Sequence, residues 1–285
     1  MAMALPGHAP AETFFLQTAL DARYCLFHAP AAPCRGALVY VHPFAEEMNR
    51  SRRMAALGAR ALAAEGVGVL QLDLHGCGDS SGEFAEARWD TWKQDVHAAC
   101  GWLRARLGCE PGVWGLRLGA LLALDYAASA PQAPERLLLW QPVTAGSAFL
   151  TQFLRLKIAN DMLRGDRQDD QPGGTEALRA TLRAGSALDI AGYQLSPPLA
   201  AAIDALDGSR LAPACPVHWF ELAAAPDRPL PPAAAKLAAG WRDRGVDVRA
   251  ETVAGPQFWN TQEITEAPAL LAATAALYRT ALHAV

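Results

Sequence analysis

Short apolar runs alternate with helix-like segments along most of this 285-residue chain, and this alternation is the feature that most limits its fold. The runs lack the polar alternate positions of a half-exposed strand, so each is expected to be buried on both faces of a sheet. They occupy residues 37–41, 67–74, 112–114, 136–140, 216–222 and 247–253. Helical patterns lie between or after them, at about 51–65, 90–107, 118–130, 231–245 and 267–283. Strands that alternate with helices in short steps predict an α/β fold with a mostly parallel, doubly wound sheet.

One long segment, residues 144–212, interrupts this alternation. It contains no apolar run that predicts a strand, but two stretches within it follow helical spacing. A helical layer inserted between two strands of an α/β core is most simply a cap over the binding face. We therefore predict a single domain over residues 1–285, with a core of residues 1–143 and 213–285 and a helical cap insertion at 144–212.

The composition argues against several classes of function. A net charge of −4 gives no electrostatic reason to expect a nucleic-acid partner. No apolar run reaches the roughly 18 residues of a membrane span, so membrane insertion is not predicted. The start of the chain lacks the basic and apolar regions of a signal peptide. The six cysteines form no Cys-x-x-Cys pair, so no metal and no cofactor is predicted, and reduced thiols in the cytoplasm are favoured.

Residues 113–119 combine the spacing of a catalytic motif with a side chain that cannot serve it. The pattern Gly-x-Ser-x-Gly places a serine hydroxyl on a tight turn between a strand and a helix. Gly115 and Gly119 keep this spacing, but Arg117 stands at the serine position. A guanidinium stays protonated at biological pH and cannot attack a carbonyl carbon. The sequence therefore predicts the turn of a nucleophile elbow without its nucleophile.

The order of elements resembles that of the α/β-hydrolase superfamily. The features that carry this resemblance are a strand that ends in His42-Pro43-Phe44, a glycine-rich loop at 73–82 and the elbow. More narrowly, the chain resembles the exosortase A system-associated hydrolase 2 family in three strings, residues 42–53, 114–120 and 255–263. The resemblance implies an α/β-hydrolase-like fold and a bacterial setting of exopolysaccharide production and PEP-CTERM protein sorting. It supplies no substrate, because one fold hosts many activities.

The resemblance also implies an acid after a late strand and a histidine after the last strand. Asp227 is the best-placed carboxylate, and Glu221 is the second candidate. Gln257 stands where the histidine is expected, and an amide has no pKa that suits a general base. None of the seven histidines lies in this loop. Two of the three triad roles are therefore without a suitable side chain, which argues against ordinary serine hydrolysis.

Two other side chains are candidate nucleophiles. Cys77 and Ser80 lie in the glycine-rich loop, at the edge of the sheet where the pocket is expected. Turn chemistry also explains this loop, because Gly76 and Gly78 permit unusual backbone angles and short polar side chains bond their own backbone. The turn explanation is favoured, and Cys77, Ser80 and Asp227 remain the catalytic candidates.

Arg117 is predicted to need a negative partner. The elbow places it at the start of a helix, where unpaired backbone N–H groups disfavour a cation by roughly 0.3–1 kcal/mol. Glu46 or Glu47, which follow the first buried strand, would neutralise it from within the protein. Alternatively, a carboxylate or phosphate of a ligand would bind the guanidinium through two parallel hydrogen bonds. Backbone donors near Phe44 and Leu118 would add to that binding.

The predicted ligand pocket consists of His42, Phe44, Glu46, Glu47, Arg117, Leu118, Gln257 and Trp259. Two functions stay open for it. The first is that of a pseudo-enzyme or accessory protein, which binds a small anionic ligand such as a glycan, lipid or peptide group without cleaving it. The second is that of an active hydrolase, of the esterase or peptidase type, with a rearranged nucleophile. The sequence offers no prediction of the oligomeric state.

Overall fold

The structure, a computed structural model, describes residues 10–31, 33–164, 174–225 and 228–279. Its strands are β1 (Glu12–Gln17), β2 (Ala22–His28), β3 (Gly36–Val41), β4 (Val67–Leu72), β5 (Gly112–Leu116), β6 (Leu137–Trp140), β7 (Leu188–Ile190), β8 (Tyr193–Leu195), β9 (Val217–Ala223) and β10 (Val248–Ala254). Its α-helices are α1 (Glu46–Ala64), α2 (Trp89–Leu107), α3 (Leu118–Ser129), α4 (Gly146–Arg164), α5 (Gly174–Arg183), α6 (Pro197–Ala205), α7 (Pro232–Asp243) and α8 (Pro268–Arg279). No helix within these ranges has both the length and the hydropathy that a membrane span requires.

An eight-stranded sheet in the order β1-β2-β4-β3-β5-β6-β9-β10 forms the centre of the molecule. Strand β2 pairs antiparallel with β1 and β4, and each pairing from β4 across to β10 is parallel. Parallel neighbours need crossover connections, which the intervening helices supply. The predicted α/β fold with a mostly parallel, doubly wound sheet is therefore confirmed.

Successive residues of the central strands enter two different hydrophobic clusters. Leu38 and Tyr40 of β3 belong to the cluster that includes residues of α1 and α8. Val39 and Val41 of the same strand belong to the cluster that includes residues of α2 and α3. Because helices cover both faces of the sheet, neither face needs polar side chains, which explains the continuous apolar runs of the sequence. Each large apolar side chain buried in this way contributes about 1.5–3 kcal/mol.

The segment between β6 and β9 contains α4 and α5, as the helical patterns predict, together with α6 and a two-stranded antiparallel sheet of β7 and β8. The expectation that residues 144–212 contain no strand is therefore wrong. Each of these strands has only three residues, which is too few to show a period. The turn between them has a positive φ at both Ala191 (54°) and Gly192 (86°), as two-residue hairpins require. The cap insertion at residues 144–212 and its boundaries stay a prediction.

Candidate functional site

The turn between β5 and α3 has the strained backbone of a nucleophile elbow. Arg117 lies in this turn with φ 56° and ψ −118°, a conformation that residues other than glycine rarely adopt. Close packing requires the two flanking glycines. A Cβ atom at Gly119 would lie 2.4 Å from the backbone oxygen of His42, and one at Gly115 would lie 2.4 Å from the Cα atom of Ala120. The glycine spacing therefore forms the predicted turn, with an arginine at its central position.

The negative partner of Arg117 is Glu47. Both Nε and Nη2 of Arg117 lie 3.4 Å from Oε1 of Glu47. Since charge-assisted N–H···O bonds are typically ~2.7–2.9 Å long, the ion pair is loose. The guanidinium also lies 5.3 Å from the ring centroid of Trp259, within the range of a cation–π contact. Glu46, the other predicted partner, instead lies 3.7 Å from Arg50 on the next turn of α1.

One oxygen of the Glu47 carboxylate is left without a hydrogen-bond donor by the described part of the chain. Its Oε2 atom is buried and accepts no hydrogen bond from the described residues. Burial raises the pKa of Glu47, and the positive charges of Arg117 and Arg50 oppose this shift. A buried acceptor without a donor is costly, and a ligand hydroxyl or ammonium group would satisfy it. The Arg117–Glu47 pair is thus incompletely hydrogen-bonded on its acidic side.

A second buried carboxylate, Glu221 in β9, belongs to the same region. The indole Nε1 of Trp219 donates to Glu221 Oε1 at 2.8 Å, and the Gln141 amide donates to Oε2 at 2.6 Å. Burial raises the pKa of Glu221, whereas the Trp219 hydrogen bond and the charge of Arg117 lower it. Both oxygens of this second candidate acid are therefore engaged. Sequence reasoning missed Gln141, whose only signal is its position directly after the buried strand β6.

Arg117 and Glu47 line a cavity of ≈ 430 Å³, the elbow cavity, which has the size of a small-molecule site. The predicted pocket residues that line it are Phe44, Glu46, Glu47, Arg117, Gln257 and Trp259. The other lining residues are Ala45, Gln141, Phe149, Gln152, Phe153, Leu156 and Asn260. None of these described lining residues is a serine, a cysteine or a histidine.

The two remaining residues of the predicted pocket, His42 and Leu118, do not line the elbow cavity. The His42 Nδ1–H group donates to the carbonyl oxygen of Pro43 at 2.7 Å, and Nε2 accepts from the backbone N–H of Leu74 at 3.2 Å. Burial lowers the pKa of His42, so the imidazole is held neutral. Leu118 is a buried core residue. His42 therefore joins the end of β3 to the glycine-rich loop.

Helix α4 covers the aromatic side of the elbow cavity. Phe149 and Phe153 lie one helical turn apart, with ring centroids 5.7 Å and 5.0 Å from that of Phe44. Both contacts are edge-to-face, the arrangement that aromatic quadrupoles favour. Gln152 and Leu156 of the same helix also line the cavity. Helix α4 is thus attached to the loop after β3 by apolar contacts beside the ion pair.

The surroundings of the candidate nucleophiles Ser80 and Cys77 indicate a role in the fold and not in catalysis. Ser80 Oγ donates to the backbone oxygen of Asp73 at 2.5 Å and accepts from the backbone N–H of Tyr24 at 2.9 Å. Burial and nearby carboxylates raise the pKa of Cys77, which disfavours the nucleophilic thiolate. Neither residue lines the elbow cavity. Asp227, the best-placed acid of the sequence, lies outside the described residues.

The described residues include no group of three His, Cys, Asp or Glu side chains arranged to hold a metal ion. Besides the ion pair, the elbow cavity offers the side-chain amides of Gln141, Gln152, Gln257 and Asn260. Amides both donate and accept hydrogen bonds, so this lining suits a polar organic ligand.

Comparison with known proteins supports the same fold. Residues 32–165 match the model of the family described as serine aminopeptidase, S33. No curated protein sequence matches the chain. Est1E from Butyrivibrio proteoclasticus, solved with bound ferulic acid, has a TM-score of 0.66 at 13% identity, over 94% of this chain and 99% of that chain.

Two further solved esterases are similar. A thermostable carboxyl esterase from Bacillus coagulans, in complex with glycerol, has a TM-score of 0.62 at 13% identity, over 95% of this chain and 99% of its own. An esterase from Pyrobaculum calidifontis has a TM-score of 0.60 at 16% identity, over 98% of this chain and 87% of its own. Likeness at such low identity establishes the fold and leaves the activity open. The protein therefore has the α/β-hydrolase fold, and its residues 32–165 are similar to the serine aminopeptidase S33 family.

Proposed function

We propose that this protein binds a ligand in the elbow cavity without hydrolysing it, and that the ligand presents a carboxylate or phosphate to Arg117. The observation that carries this proposal is the arginine at the central position of a fully formed elbow, on the wall of a cavity. The described residues of that wall offer no side chain of the serine-hydrolase type as nucleophile or base. The elbow backbone would then serve to position a cation for binding.

The loose Arg117–Glu47 pair leaves room for a ligand anion. A guanidinium carries five N–H donors, and its contacts with Glu47 come from Nε and Nη2 alone. A bidentate carboxylate or phosphate would form shorter hydrogen bonds than the 3.4 Å contacts with Glu47. Because burial raises the pKa of Glu47, this carboxyl group is able to take up a proton and withdraw its competing charge.

The biological setting that we propose is an accessory role in bacterial exopolysaccharide production and PEP-CTERM protein sorting, on the cytoplasmic side. This part of the proposal rests on the resemblance to the exosortase A system-associated hydrolase 2 family. Each of the three resembling strings supplies a residue to the cavity wall, namely Glu47, Arg117 and Trp259. A carboxylated or phosphorylated glycan, lipid or peptide group is the ligand class that fits both the setting and the cation.

Isothermal titration calorimetry with glucuronate, inorganic phosphate and neutral glucose tests the proposal. We expect an anionic probe to bind more tightly than glucose, and Arg117→Ala to weaken that binding by about 10-fold or more, since hydrogen bonds to charged groups contribute about 1.5–3 kcal/mol. Arg53→Ala is the matched control, because Arg53 pairs with Glu266 away from the cavity. Anion affinity that survives Arg117→Ala, or no preference for anions at all, contradicts the proposal.

A second candidate function is hydrolysis of the esterase or peptidase type, which the match of residues 32–165 to a serine aminopeptidase model favours. It would need a rearranged nucleophile such as Ser80 or Cys77. Labelling of the native protein with a fluorophosphonate and with iodoacetamide separates the two functions. Stoichiometric labelling that abolishes a measurable esterase activity would establish hydrolysis, and the binding proposal expects neither the activity nor its loss.

A further inference from the structure

Two cysteines precede two neighbouring strands at the amino edge of the sheet, opposite the elbow cavity. Strands β3 and β5 are parallel neighbours, with Leu38 paired to Gly112. Cys34 lies two residues before the start of β3, and Cys109 lies three residues before the start of β5. Continued toward the amino edge, this register brings position 35 opposite Cys109, so the two cysteines are one residue out of step.

The spacing of parallel strands, continued over the residues just before β3 and β5, allows the separation of the two cysteines to be inferred. Neighbouring strands lie about 4.8 Å apart and rise about 3.3 Å per residue, so a one-residue offset separates the two Cα atoms by about 6 Å. Disulfides form when Cα atoms lie about 4.4–6.8 Å apart. The Cys34 thiol donates to the backbone oxygen of Gly36 at 3.6 Å, and it is one of the groups that raise the pKa of the Cys109 thiol. Strand spacing continued over these residues would therefore place Cys34 and Cys109 at a separation that a disulfide can close.

The accessibility of this pair differs from that of the other thiols. Cys34 is exposed and Cys109 is partly exposed, whereas the remaining cysteines are buried in the hydrophobic core. These buried residues are Cys25, Cys77, Cys100 and Cys215. An oxidant dissolved in water therefore reaches Cys34 first, and the thiol nearest to it is that of Cys109.

We propose that Cys34 and Cys109 are a reversible redox site, which closes to a disulfide when the protein meets a hydroperoxide. The Cys34 sulfur attacks the peroxide oxygen, which gives a sulfenic acid and releases water from hydrogen peroxide, or an alcohol from an organic hydroperoxide. The Cys109 sulfur then attacks the Cys34 sulfur, the S–S bond forms and a water molecule leaves. Two thiols are oxidised and one peroxide is reduced, with two water molecules as products from hydrogen peroxide.

The order of these steps follows from the surroundings of Cys109. Burial raises the pKa of the Cys109 thiol, and the adjacent Cys34 and the carboxylates of Glu135 and Glu110 raise it further. A thiol with a raised pKa is a poor first nucleophile toward peroxide, so Cys109 takes the resolving role. A disulfide here would join the starts of the two strands whose other ends lead to Phe44 and Arg117, and would close a long loop of the unfolded chain.

Mass spectrometry of the full-length protein after treatment with hydrogen peroxide tests the proposal. We expect a loss of two hydrogens, a trypsin cross-link between the peptides that contain Cys34 and Cys109, and full reversal by dithiothreitol. The melting temperature of the oxidised protein should rise by about 5 °C or more, because a disulfide across a long loop restricts the unfolded chain. Cys215→Ser, which removes a buried thiol, is the matched control and should keep the cross-link.

Variants that lack one cysteine of the pair should give the opposite result to the wild type. Cys34→Ser and Cys109→Ser should both lose the cross-link and the rise in melting temperature, while each folds as the reduced wild-type protein does. A disulfide between two protein molecules through Cys34 would overturn the proposal. So would retention of both thiols, measured by iodoacetamide alkylation, under peroxide that oxidises a free cysteine peptide.

Discussion

Two regions at the carboxyl edge of the sheet differ in how their buried carboxylate oxygens are satisfied. In the glycine-rich loop at 73–82, the Asp73 carboxylate accepts hydrogen bonds from Arg52 at 3.2 Å and from the backbone N–H of Asp79 at 3.1 Å. The Ser80 hydroxyl of the same loop both donates and accepts. Both groups have hydrogen-bond partners within the protein, so they hold the loop in place.

The elbow cavity shows the opposite pattern. No described residue donates to the buried Oε2 atom of Glu47, and the contacts of Glu47 with Arg117 are long. The backbone of the elbow is nevertheless strained and closely packed, as it is around a functional group. Asp73 and Ser80 of the loop therefore serve the fold, whereas the incompletely satisfied Glu47 carboxylate of the cavity is consistent with the proposed ligand binding.

The largest effect is expected from a substitution that disrupts the elbow itself. In Gly119→Ala the new Cβ would lie 2.4 Å and 2.5 Å from the backbone oxygens of His42 and Val41, and backbone atoms cannot move aside cheaply. We expect the free energy of unfolding to fall by about 3 kcal/mol, measured by urea denaturation. Gly101→Ala in α2 is the control, since a Cβ there meets nothing within 4 Å and alanine favours a helix by about 1 kcal/mol. Equal stability of the two variants would show that the elbow is not tightly packed.

An intermediate effect tests the role of the loop. Ser80→Ala removes both the donor to Asp73 and the acceptor for Tyr24, and each partner is left without its hydrogen bond. We expect the free energy of unfolding to fall by about 2 kcal/mol, while ligand affinity of the elbow cavity stays unchanged. Denaturation and calorimetry on one preparation measure both quantities. A loss of ligand binding or of an esterase activity at unchanged stability would instead make Ser80 a functional residue.

The fold could be predicted from the sequence because its signal is distributed over many residues. Each central strand is apolar throughout, since Leu38 and Val39 face opposite clusters and both are buried. The hairpin of β7 and β8 could not be predicted, because six residues carry no period and its turn has an alanine where glycine or asparagine is the usual signal.

The site could be predicted only where residues lie close to strand ends. The sequence places Glu46 and Glu47 near Arg117, because carboxyl ends of neighbouring parallel strands meet at one edge. It does not specify which of the two turns toward the arginine, since that depends on the rotation of α1. It also places His42 in the pocket, whereas the imidazole turns to Leu74 to satisfy its own buried nitrogen atoms. Hydrogen bonds between distant segments, such as that from Gln141 to Glu221, have no local sequence signal.

The smallest expected effect concerns the charge of Glu47. Its pKa in the folded protein is raised above 4.5 by burial, so it is protonated at a higher pH than an exposed glutamate. Anion affinity at Arg117 should therefore rise as the pH falls through this raised pKa, because the competing carboxylate becomes neutral. Glu47→Gln should bind an anionic probe up to about 10-fold more tightly than the wild type near pH 8 and should lose most of the pH dependence.

The stability of the protein should also depend on pH through the Glu47 carboxyl group. A carboxyl group whose pKa is higher in the folded than in the unfolded state favours folding below its unfolded pKa, and this contribution is lost as the pH rises through the folded value. The wild type should therefore lose stability relative to Glu47→Gln as the pH rises. Burial raises the pKa of Glu221 as well, so this carboxyl group also loses its charge as the pH falls. Glu221→Gln is therefore the control that distinguishes the effect of Glu221 from that of Glu47. The pH dependence of anion affinity could instead persist in Glu47→Gln and disappear in Glu221→Gln. That result would assign the competing charge to Glu221, and the Arg117–Glu47 pair would then be a structural contact only.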